Sequence, residues 1–195
     1  MKDLALFDFD DTLTTKDTLI EFLVYYAGKL RFYTGLILLS PVMISYKLKL
    51  IPNWRAKEIL ISHFIKGHDQ DDFHQVCERF ATEIVPALYR PQALAKLDWH
   101  KKKGDDIYIV SASPADWLAP AAADLGVGLI SSKLASNEGR MTGKLDGKNC
   151  HGIEKANRVK QQLDLSDYNE IYAYGDSSGD TEMLQLATKH FYREF

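Results

Sequence analysis

Apolar residues follow two different rhythms along this chain, and the change of rhythm divides it. Leu4 to Phe9 is a short, nearly continuous apolar run broken by Asp8, with acids crowding its C-terminal end. Runs of this length without strict alternation suit a strand buried on both faces of a parallel sheet. A second run, Ile107 to Val110, follows the polar segment Lys101 to Asp106 and ends in Ser111-Ala112-Ser113-Pro114. The Ser-Pro pair predicts an N-cap and a first-turn proline, so that a helix starts at Pro114, bends at Pro120 and runs to Leu125 before Gly126. Leu129-Ile130 begins another strand, and Ala135 to Leu145, centred on Asn137-Glu138-Gly139-Arg140, predicts a hairpin. Ile153, Ala156, Val159 and Leu163 recur at helical spacing. Glu170 to Tyr174 predicts a strand ending at Gly175-Asp176, followed by a helix over Thr181 to Ala187 and a last strand over His190 to Tyr192. Strands alternating with helices in this way predict a parallel α/β sheet.

Between Thr14 and Pro91 the rhythm is helical instead. Leu19, Phe22, Leu23 and Tyr26 form one stripe, Ile59, Leu60 and Phe64 a second, and Phe73, Val76 and Phe80 a third. The pattern predicts a helical insertion: residues 14–91 as a separate layer, and residues 1–13 with 92–195 as the α/β core. No repeat, low-complexity segment or Pro/Gly-rich linker divides the chain further.

Length and composition fit this picture. The 195 residues are 46% hydrophobic and 26% charged, enough for a core that buries about 70% of the unfolded surface. A formal net charge of −3 argues against a nucleic-acid partner held by an overall basic surface. Cys77 and Cys150 are far apart and outside any Cys-x-x-Cys spacing, which argues against a disulfide framework or structural zinc and for a reducing, cytoplasmic setting. The N-terminus has no secretory pattern, and the longest uncharged stretch, Phe32 to Tyr46 with Pro41 inside it, is shorter than the roughly 20 residues a bilayer span needs. Cys150-His151 reads as a structural pair, and Trp54, Trp99 and Trp117 as packing anchors. Oligomeric state is not legible.

The candidate chemistry lies in acids at strand ends. In Asp8-Phe9-Asp10-Asp11-Thr12 two carboxylates stand two residues apart, on one face if the strand persists. Converging carboxylates need a cation or a shared proton, and an all-oxygen set beside a phosphate favours Mg²⁺. An isolated Asp-x-Asp can equally be a solvated turn. However, Gly175-Asp176-Ser177-Ser178-Gly179-Asp180 puts a second acidic group at another strand end, and ligands of open α/β sheets bind where strand C-termini meet. Ser111, at a third strand end, and Lys155, at a helix start, can hold anionic oxygens there, although each alone is an ordinary helix-entry serine or solvated lysine.

Taken in order, Asp8-x-Asp10-x-Thr12, Ser111, Lys155 and Gly175-Asp176-x-x-x-Asp180 resemble the four motifs of the haloacid dehalogenase-like hydrolase superfamily. The resemblance covers the whole chain. A helical insertion directly after the first motif resembles that superfamily's C1-type cap, as in its phosphoserine phosphatase-like subgroup, subfamily IB. The implied fold is a Rossmann-like parallel sheet with a helical cap after the first strand. The implied activity is Mg²⁺-dependent hydrolysis of a phosphate monoester. Asp8 would be the nucleophile and Asp10 the general acid/base. Asp8, the Asp10 carbonyl and Asp176 would hold the metal, with Asp180 orienting them. Ser111, Ala112 and Lys155 would bind the phosphoryl oxygens, and Asp17 falls where a substrate-contacting residue is expected. Asp11 stands where glycine is commonest.

Substrate choice is less legible. Phosphoserine phosphatases carry a glutamate where this chain has Asp17 and a Gly-Gly pair where it has Ala112-Ser113. Between Lys29 and Lys66 there are seven basic residues (Lys29, Arg31, Lys47, Lys49, Arg55, Lys57 and Lys66) against one acid, Glu58, beside the apolar runs Leu36 to Leu39 and Val42 to Ile44. Two readings fit. Either these residues form the insertion's own core with a solvated basic rim, or they lie on an anionic membrane at its inner face. The segment also resembles the cap of phosphatidylglycerophosphatase C-type enzymes, which implies a lipid or other amphiphilic phosphate monoester. A small phosphorylated metabolite, phosphoserine included, is the alternative. A phosphoacceptor receiver module is a non-enzymatic rival, but its acceptor aspartate lies mid-chain with no cap after the first strand.

Overall fold

A computed structural model describes residues 2–195. The first strand, β1 (Lys2–Phe7), is followed by five helices: α1 (Thr18–Ala27), α2 (Lys29–Leu38), α3 (Ser40–Lys47), α4 (Asn53–Ile65) and α5 (Gln70–Glu83). Helix α6 (Pro91–Lys103) leads back into β2 (Asp106–Pro114), α7 (Ala115–Asp124) and β3 (Gly128–Ser132). A hairpin, β4 (Leu134–Asn137) and β5 (Arg140–Leu145), precedes α8 (Ile153–Gln162), β6 (Tyr168–Gly175), α9 (Thr181–Leu184) and β7 (Lys189–Tyr192).

The main sheet has the order β3-β2-β1-β6-β7, all neighbours parallel. Alternate side chains of β1 face opposite layers. Ala5 and Phe7 join one apolar cluster, and Leu4 and Leu6 join the other, as period-two geometry requires. The first cluster runs on without a break into the insertion through Phe22, Phe64, Phe73 and Phe80. Trp117 of α7 stacks on Phe22 of α1 with ring centroids 4.4 Å apart and joins the layers. The other two tryptophans differ from expectation, because Trp54 and Trp99 remain 47% and 45% exposed.

The chain winds from β1 to β2 and β3 on one side and returns to β6 and β7 on the other, so β1 and β6 flank the point where the winding reverses. Crevices for ligands open there, at the strand C-termini.

The hairpin belongs physically with the insertion. Its loop residues Glu138 and Gly139 have φ of 50° and 73°, the left-handed pair of a tight two-residue turn. Its backbone bonds the segment after α4, with Met141 N donating to His68 O at 2.9 Å and Gly67 N to Met141 O at 2.8 Å. At Gly143 a Cβ would meet Ser62 Cα of α4 at 2.4 Å, so glycine allows the two elements to touch.

Two boundaries depart from the sequence pattern. Strand β2 runs through Pro114 and α7 starts at Ala115, with Pro114 at the cap position in extended backbone (φ −61°, ψ 139°) and no side-chain cap bond. Ser113 does not cap the helix because its hydroxyl is taken by Asp10 at 2.6 Å. The helix expected over Thr181 to Ala187 is a single turn, Thr181–Leu184.

Candidate active site

Asp8 follows β1 directly, its N–H donating to Tyr174 O of β6 at 2.9 Å. The strand ends at Phe7, and the chain turns at once: Leu13 N and Thr14 N both donate to Phe9 O, at 2.9 and 3.0 Å. Asp8 and Asp10 are therefore not partners on one pleated face. Asp8 faces Lys155, whereas Asp10 faces α1. Asp11 holds the turn with φ 57°, a left-handed conformation that glycine adopts freely and aspartate tolerates.

The centre of the site is a buried lysine between two carboxylates. Lys155 Nζ donates to Asp8 Oδ1 and to Asp180 Oδ1, each at 2.5 Å. Burial works against the ammonium charge, but the two aspartates outweigh it and hold the lysine pKa above its usual value. Asp180 also gathers the loop after β6. Its Oδ2 accepts from Asp176 N at 3.2 Å, Ser177 N at 3.0 Å and Ser177 Oγ at 2.9 Å. Burial opposes the charge of Asp180 as well, yet Lys155 and the Ser177 bonds bring its carboxyl below the ordinary range. Gly175 permits this closeness, since a Cβ there would lie 2.6 Å from Asp180 Cβ.

Asp8 is in the opposite state. Burial pushes its carboxyl well above the usual range, Lys155 opposes this, and the charges of Asp180 and Asp10 add to the rise. Asp8, Asp176 and Asp180 each bring a carboxylate oxygen within 4.8 Å of the others. One ammonium does not balance three such groups. An all-oxygen set with excess negative charge fits a hard divalent cation, which would relieve the repulsion. Asp176 is steadied by Thr12 Oγ1, which donates to it at 3.2 Å.

The Asp10 carboxylate is tied on both sides. Its Oδ1 accepts from Thr18 N at 2.6 Å and Thr18 Oγ1 at 2.5 Å, and its Oδ2 accepts from Ser113 Oγ at 2.6 Å and, more weakly, from Ser111 Oγ at 3.5 Å. Ser111 is fully buried at the end region of β2 and its Oγ also accepts from Ser113 N at 3.0 Å. Ala112 presents its carbonyl to Lys57, whose Nζ donates at 2.7 Å. Asp17 caps α1, accepting from Leu19 N at 2.8 Å and Ile20 N at 3.3 Å. Although solvent reaches it from outside, desolvation on the cleft side and the nearby Asp10 charge push its carboxyl up to about 6.

These groups line a cleft of about 310 Å³ between the sheet and the insertion. The aspartates, Lys155 and Ser113 form its floor. Leu19, Ile20, Met43, Tyr46 and Leu60 supply apolar wall from α1, α3 and α4. All the residues picked from the sequence are brought to this neighbourhood, but four participants were not picked. Lys57 was counted only within a basic run, yet burial lowers its pKa while Asp10 and Asp17 oppose the shift. Ser113 and Thr18 hold Asp10. His151, read as structural, lines the cleft and packs on Gly179, where a Cβ would meet its Nε2 at 2.5 Å. A hydroxyl one residue inside a helix N-terminus after an acidic turn was the available sign for Thr18. Nothing in the sequence distinguished Lys57 from its six basic neighbours.

The family model for haloacid dehalogenase-like hydrolases matches residues 5–185, and the chain belongs to that family. It is 39% identical over 194 residues to Protein CicA of Caulobacter vibrioides, covering 98% of this chain and 86% of the relative. A solved protein of unknown function from Bordetella pertussis Tohama I superposes with a TM-score of 0.85 at 26% identity, over 97% of this chain and 89% of its own. Phosphoserine phosphatase SerB1 of Mycobacterium tuberculosis is 25% identical over 190 residues, which are 93% of this chain and 61% of that protein. The family is one of hydrolases, and the chain is a hydrolase of that kind.

Proposed function

We propose that the protein hydrolyses a phosphate monoester through an aspartyl-phosphate on Asp8, with residues 14–91 acting as a cap that selects the leaving group. The observation that carries this reading is the Asp8–Lys155–Asp180 arrangement: a buried carboxylate oxygen at a strand end, held 2.5 Å from a lysine whose second partner is also a carboxylate. Asp8 is placed to attack phosphorus as the bond from phosphorus to the leaving oxygen breaks. Asp10 gives that oxygen a proton, then as carboxylate takes one from the water that attacks the phospho-Asp8 phosphorus, releasing inorganic phosphate and restoring Asp8. Thr18 and Ser113 keep the Asp10 carboxyl at one position through both steps.

The residues that would hold Mg²⁺ are Asp8, the Asp10 carbonyl and Asp176, with Asp180 positioning Lys155 and the Asp176 loop. When bound, the ion supplies charge that allows an anionic nucleophile to approach a phosphate. Lys155 and the strand-end residues Ser111 and Ala112 bind the phosphoryl oxygens, Ala112 through its backbone. Asp17 and Lys57 face the leaving-group side.

The leaving group is proposed to be amphiphilic, as in a lipid phosphate met at an anionic membrane. Support comes from the cleft wall, where Met43, Tyr46 and Ile20 give an apolar route away from the acidic floor. A phosphomonoester screen with Mg²⁺ tests both levels. Phosphate release that Asp8→Asn abolishes, with phosphate recovered on the Asp8 peptide after acid quench, supports the chemistry. A preference for small polar esters over lipid phosphates would overturn the amphiphile and leave the chemistry standing.

A further inference from the structure

Helices α2 and α3 and the segment into α4 leave an unusual amount of apolar surface uncovered. Nine of the twelve large apolar side chains exposed among the described residues lie between Leu30 and Trp54. On α2, Phe32 and Gly35 turn inward, while Leu30, Tyr33 and Ile37 share an outer stripe at i, i+3 and i+7, with Leu30 82% and Ile37 74% exposed. Helix α3, with the sequence SPVMISYK, has no fully buried residue. Leu48 and Leu50 follow it at 64% and 72% exposure. The apolar runs therefore divide: Phe32 joins the core of Phe22, Leu60, Phe64, Phe73 and Phe80, with Leu36 and Leu39 packed against it, whereas Ile37, Leu38 and Ile44 stay exposed. Contiguous exposed apolar patches on this scale mark interaction sites.

Charge identifies the partner. No acidic residue occurs between Glu21 and Glu58, and Lys29, Arg31, Lys47, Lys49 and Arg55 in that interval are exposed, on a chain whose net charge is −3. A second copy docking through the same face would set these cations against themselves. An anionic phospholipid surface accepts both the apolar side chains and the basic rim.

The geometry points to a membrane-docking face made by α2, α3 and the first turn of α4, which seats the protein on anionic phospholipid bilayers with the cleft opening beside the interface. Met43 and Tyr46 of α3 line the cleft, so the docking face and the cleft wall are two sides of one short helix. Docking stands apart from the chemistry on the cleft floor; only delivery of a lipid substrate rests on the phosphatase reading.

Flotation of the full chain with vesicles of phosphatidylcholine containing about a third phosphatidylglycerol, against pure phosphatidylcholine, tests it. Two doubly substituted variants, Ile37→Asp with Leu38→Asp and Lys47→Glu with Lys49→Glu, change exposed side chains outside the cleft. The expected result is binding to the anionic vesicles that falls at least tenfold in each variant and at high salt, with unchanged turnover of p-nitrophenyl phosphate reporting an intact fold and site. Equal binding by wild type and variants, or no binding by the wild type, would overturn the docking face. So would a wild-type dimer in sedimentation that the Asp variant converts to monomer, since that would assign the face to a second copy. If the wild type turns over no ester at all, the phosphatase reading fails while flotation still decides the docking face, with circular dichroism then reporting the fold.

Discussion

Lys155 Nζ and Asp8 Oδ1 lie 2.5 Å apart although 147 residues separate them in sequence, and both side chains are at least nine-tenths buried. An ammonium placed there without its carboxylates, or the carboxylates without it, would be costly, since removing one partner of a buried pair costs about 3–5 kcal/mol. Lys155→Met should therefore lower the midpoint of thermal unfolding by roughly 10 °C, at about 2–4 °C per kcal/mol for a chain of this size, and abolish phosphate release. A variant as stable as the wild type would show that the lysine is not the structural counter-charge of Asp8 and Asp180.

Asp8→Asn removes the nucleophile and keeps its shape. Lys155 keeps its bond to the Asp180 carboxylate, so a neutral amide at position 8 leaves the ammonium paired and should leave the fold intact. Turnover should fall by about three orders of magnitude or more, the scale of losing a covalent catalyst. Turnover within tenfold of the wild type would remove Asp8 from that role.

Mg²⁺ should stabilise the folded chain, because it binds a set of carboxylates that folding assembles. At about 100 times its dissociation constant an ion contributes about 2.7 kcal/mol, or roughly 5–10 °C here. Differential scanning fluorimetry with and without EDTA reads this, and Asp176→Asn should cancel most of the gain. Activity should vanish in EDTA and return with Mg²⁺.

Lys57 ties α4 to the β2 end through the Ala112 carbonyl at 2.7 Å. A hydrogen bond from a charged group contributes about 1.5–3 kcal/mol. Lys57→Met should lower kcat/KM about tenfold to a hundredfold, with a loss of stability no greater than that bond contributes and so smaller than in Lys155→Met. Unchanged kinetics would make the contact ornamental.

His100 gives a pH signature remote from the cleft. It is fully buried, bonded to Asp105 at 2.7 Å and Tyr174 at 3.0 Å. Burial lowers its pKa from 6.5 even though Asp105 opposes the shift. The unfolded chain then binds the proton more readily, so the stability this group contributes is complete above about pH 6.5 and lost as pH falls toward the folded value. Asp3, whose carboxyl Lys103 holds below the usual range, acts only in more acidic solution. Raised carboxyls such as Asp8 and Asp17 act with the opposite sign, so the signature is the difference: between pH 7.5 and 5.5 the unfolding midpoint of the wild type should fall relative to that of His100→Gln. Parallel courses would assign the effect to other groups.

Much of this architecture was legible because its signals are local. Unalternating apolar runs marked β1, β2 and β6, the Asn-Glu-Gly-Arg sequence marked the hairpin, and Gly175-Asp176 marked the strand end beside Asp8. What stayed hidden was relational. Asp8 and Asp10 look equivalent in the sequence, but the strand stops one residue before Asp8, and the turn held by Phe9 O sends Asp10 to Thr18. Ser113 looks like a cap because serine before proline usually is one, and a carboxylate 103 residues away claims its hydroxyl. Lys57 and the exposed leucines of α2 and of the segment after α3 belong to one basic, apolar stretch, and only packing separates the lysine facing the cleft from the residues facing solvent.

The hairpin's bonds to the segment after α4 have a consequence for traffic through the cleft. With Leu145 N donating to Glu58 Oε1 at 2.9 Å and Met141 clasped by residues 67 and 68, α4 and the hairpin are fastened to each other, and Lys57 Nζ, donating to the Ala112 carbonyl at 2.7 Å, fastens α4 to β2 of the main sheet. Substrate entry and product exit therefore do not require the whole insertion to swing. Helix α3, whose Met43 and Tyr46 line the cleft, then forms the wall past which both must travel.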